Sequence, residues 1–348
     1  MRLRTLVAAL MMAPAFAMGG SALAQTVDGP KVTWKLGAWG KPRAATKGVD
    51  TLAAYVKEQT GGKFTINIGY GSYGEPKELL DLVSTGVLEA TNMCSSYHPE
   101  KHPGYTALDL PFLPFPNAEV QEKVHEKFHL HPYVRQELAK WKAFAFMSTL
   151  LPQYEFIGRS CTPPKKLSDW KGLRVRAIGG IGAAMAKLGA VPTSVDATEV
   201  YNLMERGTVD AASFPSTYAH GSYRTYEVGK WFTTNLSPGT QSCPVMVGIE
   251  AWNKLPKQYQ ELLEKGKQIA YAEQKKAYGE ADEKYLEEFK KKKLEFITYS
   301  KEDLAEFQKV GGKPVWDEWV AEKSKQGIPA QELLDLILDT AKAAAPKS

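Results

Sequence analysis

Residues that build reactive or metal-binding sites are scarce in this sequence. Its 348 residues include three cysteines and six histidines, and the cysteine spacing does not match a zinc site. Neither the G-x-S-x-G nucleophile motif nor the G-x-x-x-x-G-K-[ST] phosphate loop occurs. Serine-hydrolase and P-loop nucleotide chemistry are therefore not predicted, and no cofactor is expected.

Long hydrophobic runs are also lacking after the first 24 residues. No later segment approaches the roughly 18 consecutive apolar residues of a membrane-spanning helix. The N-terminus carries Arg2 and Arg4, then the apolar stretch TLVAALMMAPAFAM, then a small-residue site that ends at Ala24. Because this is the pattern of a secretory signal peptide, we expect residues 1–24 to be cleaved off and the mature protein to be soluble in the periplasm.

A large excess of one charge is absent as well. The formal net charge is +5, and removing the two arginines and no acids of the signal peptide leaves +3. Such a weak excess does not indicate a nucleic-acid or membrane-surface partner. The hydrophobic content of 43% and the charged content of 24% indicate a globular protein of one large or two modest domains.

Strand-like and helix-like patterns alternate from Val32 onwards. KVTWKLGAW and KFTINIGY are typical of strands, whereas AATKGVDTLAAYVKEQTGG has apolar residues at helical spacing and ends at a glycine pair. A longer helix is predicted from about Lys257 to Lys293. The alternation predicts an α/β protein, and the lack of a linker implies that the chain crosses more than once between any two domains.

One short pattern is typical of a metal site. VHEKFHLHP places His125 and His129 in an H-E-x-x-H arrangement, in which two histidines one helical turn apart hold zinc. Lys127 lies inside the motif, and the apolar stripe of this helix passes through Val124 and Phe128. We therefore expect both histidines on the solvated flank of a peripheral helix, with a secreted zinc hydrolase as the alternative.

A second short pattern, GYGSYG at 69–74, matches the G-x-G-x-x-G of dinucleotide sites. Such a site needs an acidic residue at the end of the next strand to bind a ribose, and that strand ends in NMCSSYH. We therefore interpret the glycines as a tight turn before a helix.

Longer stretches resemble one known family. VKEQTGGKFTINIGYGSYGEPKELLDLVSTG contains T-G-G-K and E-L-L-x-x-V-x-x-G, and LDLPFLPF at 108–115 is similar to an L-P-F-L-F motif. LSDWKGLRVRAIGGIGAAMAKLGAVPTSVDATEVYNLMERGTVDAASFP is similar to L-K-G-x-K-I-R, then G-A-x-P, then E-x-Y-x-A-L-x-x-G-x-V-D-G. The chain thus resembles the solute-binding (DctP-type) subunits of tripartite ATP-independent periplasmic (TRAP) transporters, in order and over nearly the whole mature sequence.

The resemblance implies an α/β fold of the two-lobed periplasmic-binding-protein type (a type II-like clamshell), with crossing hinge strands and a long helix along both lobes. It implies that one lobe comprises residues 26–153 plus 242–281 and the other residues 154–241 plus 282–309. Residues 310–348 are then C-terminal helices and a tail.

The resemblance also implies a carboxylate-binding residue. In the family an arginine at the end of the L-K-G-x-K-I-R strand holds the ligand carboxylate, and the matching residue is Arg176. Arg174 has the same strand parity and is the second candidate. A second family arginine, about 20 residues earlier, is not matched, because Tyr154 and Glu155 occupy that neighbourhood. Phe214 stands where the family has a ligand-binding asparagine.

These departures predict a cleft with less polar and more aromatic surface than in many relatives. Five aromatic residues are candidates to line it, and each is equally suited to an ordinary core: Trp39, Tyr97, Tyr154, Phe214 and Tyr218. Glu155 or Asp196 is a candidate partner for a hydroxyl or amine of the ligand.

The family resemblance also implies a disulfide between Cys161 and Cys243, which lie near strands that cross between the lobes. Cys94 is expected close to the cleft. The implied function is capture of an organic acid, including an aromatic or bulky one, and its delivery to integral membrane TRAP subunits for ion-gradient-driven uptake. We expect a monomer with no catalytic activity, no metal and no nucleic-acid partner. The binding protein of an ATP-driven importer is a further alternative.

Overall fold

The computed structural model describes residues 26–346, so the predicted signal peptide and its cleavage after Ala24 lie outside the described residues. No helix within residues 26–346 is long and apolar enough to cross a membrane.

A five-stranded sheet forms the centre of the first lobe. Its strands are β1 (Val32–Ala38), β2 (Phe64–Tyr70), β3 (Ala90–Asn92), β4 (Ala143–Leu150) and β10 (Ser242–Gly248). Their spatial order is β2-β1-β3-β10-β4, with β10 antiparallel to both of its neighbours. Every residue of β10 is buried, as expected for a strand that is covered on both faces.

A six-stranded sheet forms the centre of the second lobe. Its strands are β5 (Tyr154–Gly158), β6 (Arg174–Arg176), β7 (Val191–Thr193), β8 (Ala211–Pro215), β9 (Trp231–Thr233) and β11 (Glu295–Ile297). Their order is β11-β9-β5-β8-β6-β7. β6 runs parallel to β7 and β8, so Arg176 at the end of β6 lies beside Ala212, and β8 continues to Pro215 at the same edge of this sheet.

Helices cover the faces of both sheets. Those between strands of the first sheet are α1 (Lys47–Gln59), α2 (Leu79–Ser84), α3 (Ala118–His129) and α4 (Pro132–Ala139). Those between strands of the second sheet are α5 (Gly179–Lys187), α6 (Val200–Glu205) and α7 (Ser216–Ser222). After β10 come α8 (Ile249–Asn253) and α9 (Lys257–Lys291), and after β11 come α10 (Lys301–Gly311), α11 (Lys313–Lys325) and α12 (Ala330–Ala344).

Two chain segments cross between the sheets and form a hinge. Residues 151–153 lead from β4 to β5, and residues 234–241 lead from β9 back to β10. They are joined by a hydrogen bond from Tyr154 N to Gly239 O of 2.9 Å. The crossing predicted from the family resemblance is therefore present, but the hinge segments connect strands and are not strands themselves.

The long helix α9 contacts both lobes. Near its middle, Gln274 Nε2 donates a hydrogen bond of 3.0 Å to Ala45 O in the first lobe. Two turns later, Asp282 Oδ1 accepts a bond of 3.3 Å from Thr217 N in the second lobe. These contacts agree with the predicted two-lobed α/β clamshell and its lobe-spanning helix.

Candidate ligand-binding cleft

A cavity lies between the lobes, where strands of both sheets end. Its walls are the segments that follow β1 and β3, the start of β5, the end of β6, and β8 with α7. Six of the residues singled out in the sequence line it: Trp39, Tyr97, Tyr154, Arg176, Phe214 and Tyr218. The geometry thus brings these six side chains together, and their contact with a ligand stays a prediction.

The cleft is nearly filled by its own side chains. The cavity volume is about 20 Å³, little more than one water molecule requires. The lobes also touch directly, because Tyr97 OH accepts a hydrogen bond of 3.2 Å from Ala197 N across the cleft. This is a closed arrangement, and a larger ligand has to enter while the lobes are apart.

Arg176 is the most deeply buried charge in the cleft wall, with 1% of its surface exposed. Nε and Nη2 both donate to Val195 O, at 3.2 and 3.0 Å, and Nη1 donates to Ser213 O at 2.9 Å. A guanidinium has five N–H donors, so one N–H on each terminal nitrogen is left over. These remaining donors are suited to the oxygens of a carboxylate.

Arg176 forms no ion pair with the described residues. No carboxylate oxygen in residues 26–346 lies within 4.0 Å of its guanidinium, whereas Arg174 has such a partner. The nearby Asp196 does not form an ion pair with it: burial raises the pKa of that carboxyl, and the longer-range attraction of Arg176, which lowers the same pKa, is a smaller effect. A buried cation without a paired anion is costly, so this position favours an anion from outside the chain.

Aromatic rings surround this arginine. The guanidinium carbon lies 4.7 Å from the ring centre of Phe214, and Phe214 stacks on Tyr223 with ring centres 5.1 Å apart. Burial raises the pKa of Tyr97 to about 12 and holds the pKa of Tyr154 well above its ordinary value. Both phenols therefore stay neutral at physiological pH, and the cleft presents flat apolar faces with hydroxyl groups at their edges.

Arg43 also lines the cavity and was missed in the sequence. It follows β1, and its guanidinium lies 4.6 Å from the ring centre of Trp39 and 5.7 Å from that of Tyr223. The family motifs that identified Arg176 do not include this segment, GAWGKPRAAT. The one sequence feature that could have identified Arg43 is its position, three residues after Gly40 in the turn that follows the first strand.

Arg174 does not reach the cleft, which corrects its place as second candidate. Its Nε and Nη2 bind both carboxylate oxygens of Asp210, at 3.0 and 2.7 Å, and about half of its side chain is exposed. Strand parity fixes the face of a sheet but not the depth along the strand. Arg174 begins β6, two residues before the end that meets the cleft.

Glu155 also lies outside the cavity, contrary to the expectation that it meets the ligand. Its carboxylate accepts bonds from Thr233 Oγ1 at 2.5 Å and from Ser237 Oγ at 2.8 Å, and two backbone N–H groups complete the set. Successive side chains of a strand point to opposite faces, so Tyr154 faces the cleft and Glu155 the interior of the second lobe. Burial raises the pKa of Glu155.

The predicted disulfide pairing is wrong. Cys94 pairs with Cys243, and Cys161 is an exposed free thiol. The cause is the antiparallel register of β3 and β10, which sets Asn92 opposite Val245 and so continues to Cys94 opposite Cys243. Cys94 lines the cavity, so the prediction that it lies near the cleft is confirmed.

The two histidines of the H-E-x-x-H pattern are buried, which corrects the expectation that they are solvated. His125 Nδ1 bonds to Ser148 Oγ at 2.8 Å, and His129 Nε2 bonds to Tyr105 OH at 2.8 Å. Glu126 binds Lys267 and Tyr271. No group of three or more His, Cys, Asp or Glu side chains within residues 26–346 could hold a metal ion. The zinc-hydrolase alternative is not supported.

Burial of His125 predicts that the free energy of unfolding depends on pH. Desolvation lowers its pKa to about 3, against an ordinary value near 6.5. Between those pH values the unfolded chain binds a proton that the folded protein does not, so stability falls as the pH falls below 6.5. We expect His125→Gln to reduce the slope of the unfolding free energy between pH 4 and 6 by up to about 1.4 kcal/mol per pH unit.

Urea unfolding at several pH values measures that slope. The control is Lys127→Gln, on the exposed side of the same helix, which should keep the wild-type slope. Equal slopes for His125→Gln and the wild type would contradict the assignment of acid sensitivity to this ring.

Comparison with known proteins gives a consistent result. Residues 38–323 match the model of the family described as bacterial extracellular solute-binding protein, family 7 (DctP). A monocarboxylate 2-oxoacid-binding periplasmic protein of Nostoc sp. is 25% identical over 303 residues, which cover 81% of this chain and 78% of that protein.

Solved structures share the fold. A TRAP periplasmic solute-binding protein from Desulfovibrio salexigens with bound orotic acid has a TM-score of 0.79 and 20% identity, over 90% of this chain and 99% of that one. A TRAP solute-binding protein from Rhodoferax ferrireducens in complex with copurified benzoate has a TM-score of 0.79 and 17% identity, over 90% of this chain and 98% of that one. The resemblance drawn from the sequence motifs is thereby confirmed, and the chain belongs to the DctP family of bacterial extracellular solute-binding proteins.

Proposed function

We propose that this protein captures an organic acid between its two lobes, with Arg176 holding the ligand carboxylate. The observation that carries the proposal is the state of Arg176: it is 1% exposed, three of its N–H groups are bound to backbone carbonyls, and no carboxylate pairs with it. The backbone bonds fix the direction of the guanidinium. An incoming carboxylate then meets two donors that are already oriented, which reduces the entropy lost on binding.

The ligand body would lie against the aromatic walls of the cleft. Trp39 and Tyr97 contribute rings from the first lobe, and Tyr154, Phe214 and Tyr218 from the second. Such surfaces favour a flat or bulky acid over a small, strongly hydrated one. Two relatives are named for ring-bearing acids, orotic acid and benzoate, and a third for a monocarboxylate 2-oxoacid.

Capture would proceed by closure of the lobes about the hinge at residues 151–153 and 234–241. The proposed lobes are residues 26–153 plus 242–281 and residues 154–241 plus 282–309, with residues 310–348 packed back as C-terminal helices and a tail. Support comes from the two sheets, whose strands fall on either side of these boundaries.

The biological setting follows from the family. We propose a periplasmic monomer, released from its signal peptide after Ala24, that hands its ligand to integral membrane TRAP subunits and catalyses no reaction. Ion-gradient-driven uptake is preferred to an ATP-driven importer because the solved relatives are TRAP proteins. No nucleic acid and no cofactor take part in this scheme.

Substitution of Arg176 tests the proposal. A thermal-shift screen of dicarboxylates, 2-oxo acids, hydroxy acids and aromatic acids first identifies a ligand, because a bound acid raises the melting temperature. Calorimetric titration of that acid should show an affinity loss of about a hundredfold or more for Arg176→Ala, since a buried ionic contact is removed. Arg176→Lys should lose roughly tenfold, because an ammonium cannot bind both carboxylate oxygens in the same way.

The matched control is Arg174→Ala on the same strand, whose side chain lies outside the cavity. Its affinity should stay within about threefold of the wild type, because only the Asp210 pair is lost. Wild-type affinity in both Arg176 variants would overturn the proposed function.

A further inference from the structure

We propose that Arg43 and Tyr223 form a second anion-binding point in the cleft, so that the ligand carries a second acidic group at the end remote from Arg176. This inference rests on the proposed function, because it takes the Arg176 end of the site as the first carboxylate position. It names the ligand class as a dianionic organic acid that contacts both lobes.

The hydrogen bonding of Arg43 leaves donors available. Nη1 donates to Trp39 O at 2.8 Å and to Lys41 O at 2.9 Å, which uses both of its N–H groups and fixes the guanidinium. Nη2 is buried and has no hydrogen-bond partner among the described residues. A buried donor without a partner is unfavourable, so the site is completed by an acceptor from elsewhere.

Tyr223 adds a second unpartnered group at the same end. Its hydroxyl is buried, and no residue in the described range 26–346 hydrogen-bonds to it. It lies close to the Arg43 end, since a Cβ atom added to Gly40 would stand 3.1 Å from this hydroxyl and 3.3 Å from Arg43 Nη1. A guanidinium edge and a phenol at one point are donors suited to an oxyanion.

A stack of rings connects the two arginines. The guanidinium of Arg43 lies 5.7 Å from the ring of Tyr223, that ring lies 5.1 Å from Phe214, and Phe214 lies 4.7 Å from the guanidinium of Arg176. All four residues line the same cavity. A ligand body that follows these rings would present one end to each arginine.

Charge balance selects the ligand class. No carboxylate in residues 26–346 pairs with Arg43 or with Arg176, although ion pairs are found for Arg174 and Arg224. A monoanion at Arg176 would leave Arg43 uncompensated inside the closed cleft, whereas a dianion would neutralise both. Because Arg43 belongs to the first lobe and Arg176 to the second, a dianion would also hold the closed state together.

Matched pairs of acids test the inference by calorimetric titration. The pairs are butyrate with succinate, hexanoate with adipate, and benzoate with terephthalate, and each diacid adds one carboxylate to a comparable skeleton. In at least one pair the wild type should bind the diacid at least tenfold more tightly than the monoacid. Arg43→Gln should lower the diacid affinity by about ten- to a hundredfold, and the monoacid affinity by less than about threefold.

Two further variants test whether the diacid preference depends on Arg43 and Tyr223 in particular. Lys41→Gln removes an exposed positive charge two residues away and should keep the preference for the diacid. Tyr223→Phe removes only the hydroxyl and should weaken the diacid by roughly threefold. Retained unfolding midpoints show that each variant is folded.

The outcomes separate this inference from the proposed function. Equal loss of monoacid and diacid in Arg43→Gln, or a diacid preference that survives it, would overturn the second anion point while Arg176-dependent binding keeps the proposed function. Monoacids that bind as tightly as diacids in all three pairs would also overturn it. If the wild type binds none of the six acids, the same comparison is made with the acid from the thermal-shift screen, and a ligand with a single acidic group would overturn the second anion point and leave the proposed function standing.

Discussion

Loss of the Cys94–Cys243 disulfide is expected to lower the free energy of unfolding by about 4 kcal/mol. The bond closes a loop across 149 residues of sequence, and cross-linking so long a segment removes much of the conformational entropy of the unfolded chain. Both cysteines are buried, at 3% and 0% exposure. The double variant Cys94→Ala, Cys243→Ala puts apolar methyl groups there and so leaves no unsatisfied polar group. Urea unfolding at neutral pH, without reductant, measures the change.

The third cysteine supplies the control. Cys161 is exposed and unpaired, so Cys161→Ala should change the unfolding free energy by no more than about 0.5 kcal/mol. Wild-type protein kept in excess thiol should resemble the double variant. A double variant within about 1 kcal/mol of Cys161→Ala would show that the disulfide contributes little to stability.

The disulfide illustrates what the sequence could not supply. The motifs located Cys243 on a strand near the hinge, but the partner depends on strand register. Asn92 lies opposite Val245 because β3 and β10 are antiparallel neighbours, although 149 residues separate Cys94 from Cys243 along the chain. Local patterns of hydrophobicity do not predict which distant strands pair or in which register.

The fold itself was largely accessible from the sequence. Alternating strand and helix patterns indicated an α/β class, and family motifs indicated two lobes with a helix along both. The helix predicted from about Lys257 to Lys293 is α9, Lys257–Lys291. These features are predicted from hydrophobic periodicity and from long motifs. Each of these signals is spread over many residues, so a departure at one position does not remove it.

The cleft was only partly accessible. Arg176 and five aromatic residues were located correctly at the cavity, since each lies at or near the end of a strand that borders the cleft. Arg174 and Glu155 were placed there wrongly, because parity and proximity in sequence fix neither depth nor face. Arg43 was missed because its position depends on closure of the first lobe onto Tyr223.

The H-E-x-x-H helix shows a different limit. The apolar stripe through Val124 and Phe128 is only part of the buried face of this helix, because His125 and His129 are buried beside it. Ser148 bonds to a ring nitrogen of His125, and Tyr105 bonds to one of His129. These hydrogen bonds reduce the cost of burying the two polar rings. Charged neighbours in the sequence are thus a poor guide to the burial of a histidine whose nitrogens find partners.

A methyl group added at Gly158 is expected to destabilise the protein by about 3 kcal/mol or more. Gly158 lies in β5 between β8 and β9, and an added Cβ atom would stand 1.9 Å from Cζ2 of Trp231. Trp231 is 1% exposed and packs edge-to-face on Trp170, with ring centres 5.8 Å apart, so it has no space into which to move. Overpacking of this kind forces side chains and backbone to shift.

The same substitution at Gly279 should have the opposite sign. Gly279 is an exposed position inside α9, and no atom lies within 4 Å of an added Cβ. Since alanine favours a helix over glycine, Gly279→Ala should stabilise the protein by about 1 kcal/mol. Urea unfolding of both variants provides the comparison, and a Gly158→Ala protein within 1 kcal/mol of the wild type would mean that the contact with Trp231 relaxes at little cost. Because the two changes add the same methyl group, opposite signs would show that the cost at Gly158 comes from its contact with Trp231 in the packed central strand of the second lobe.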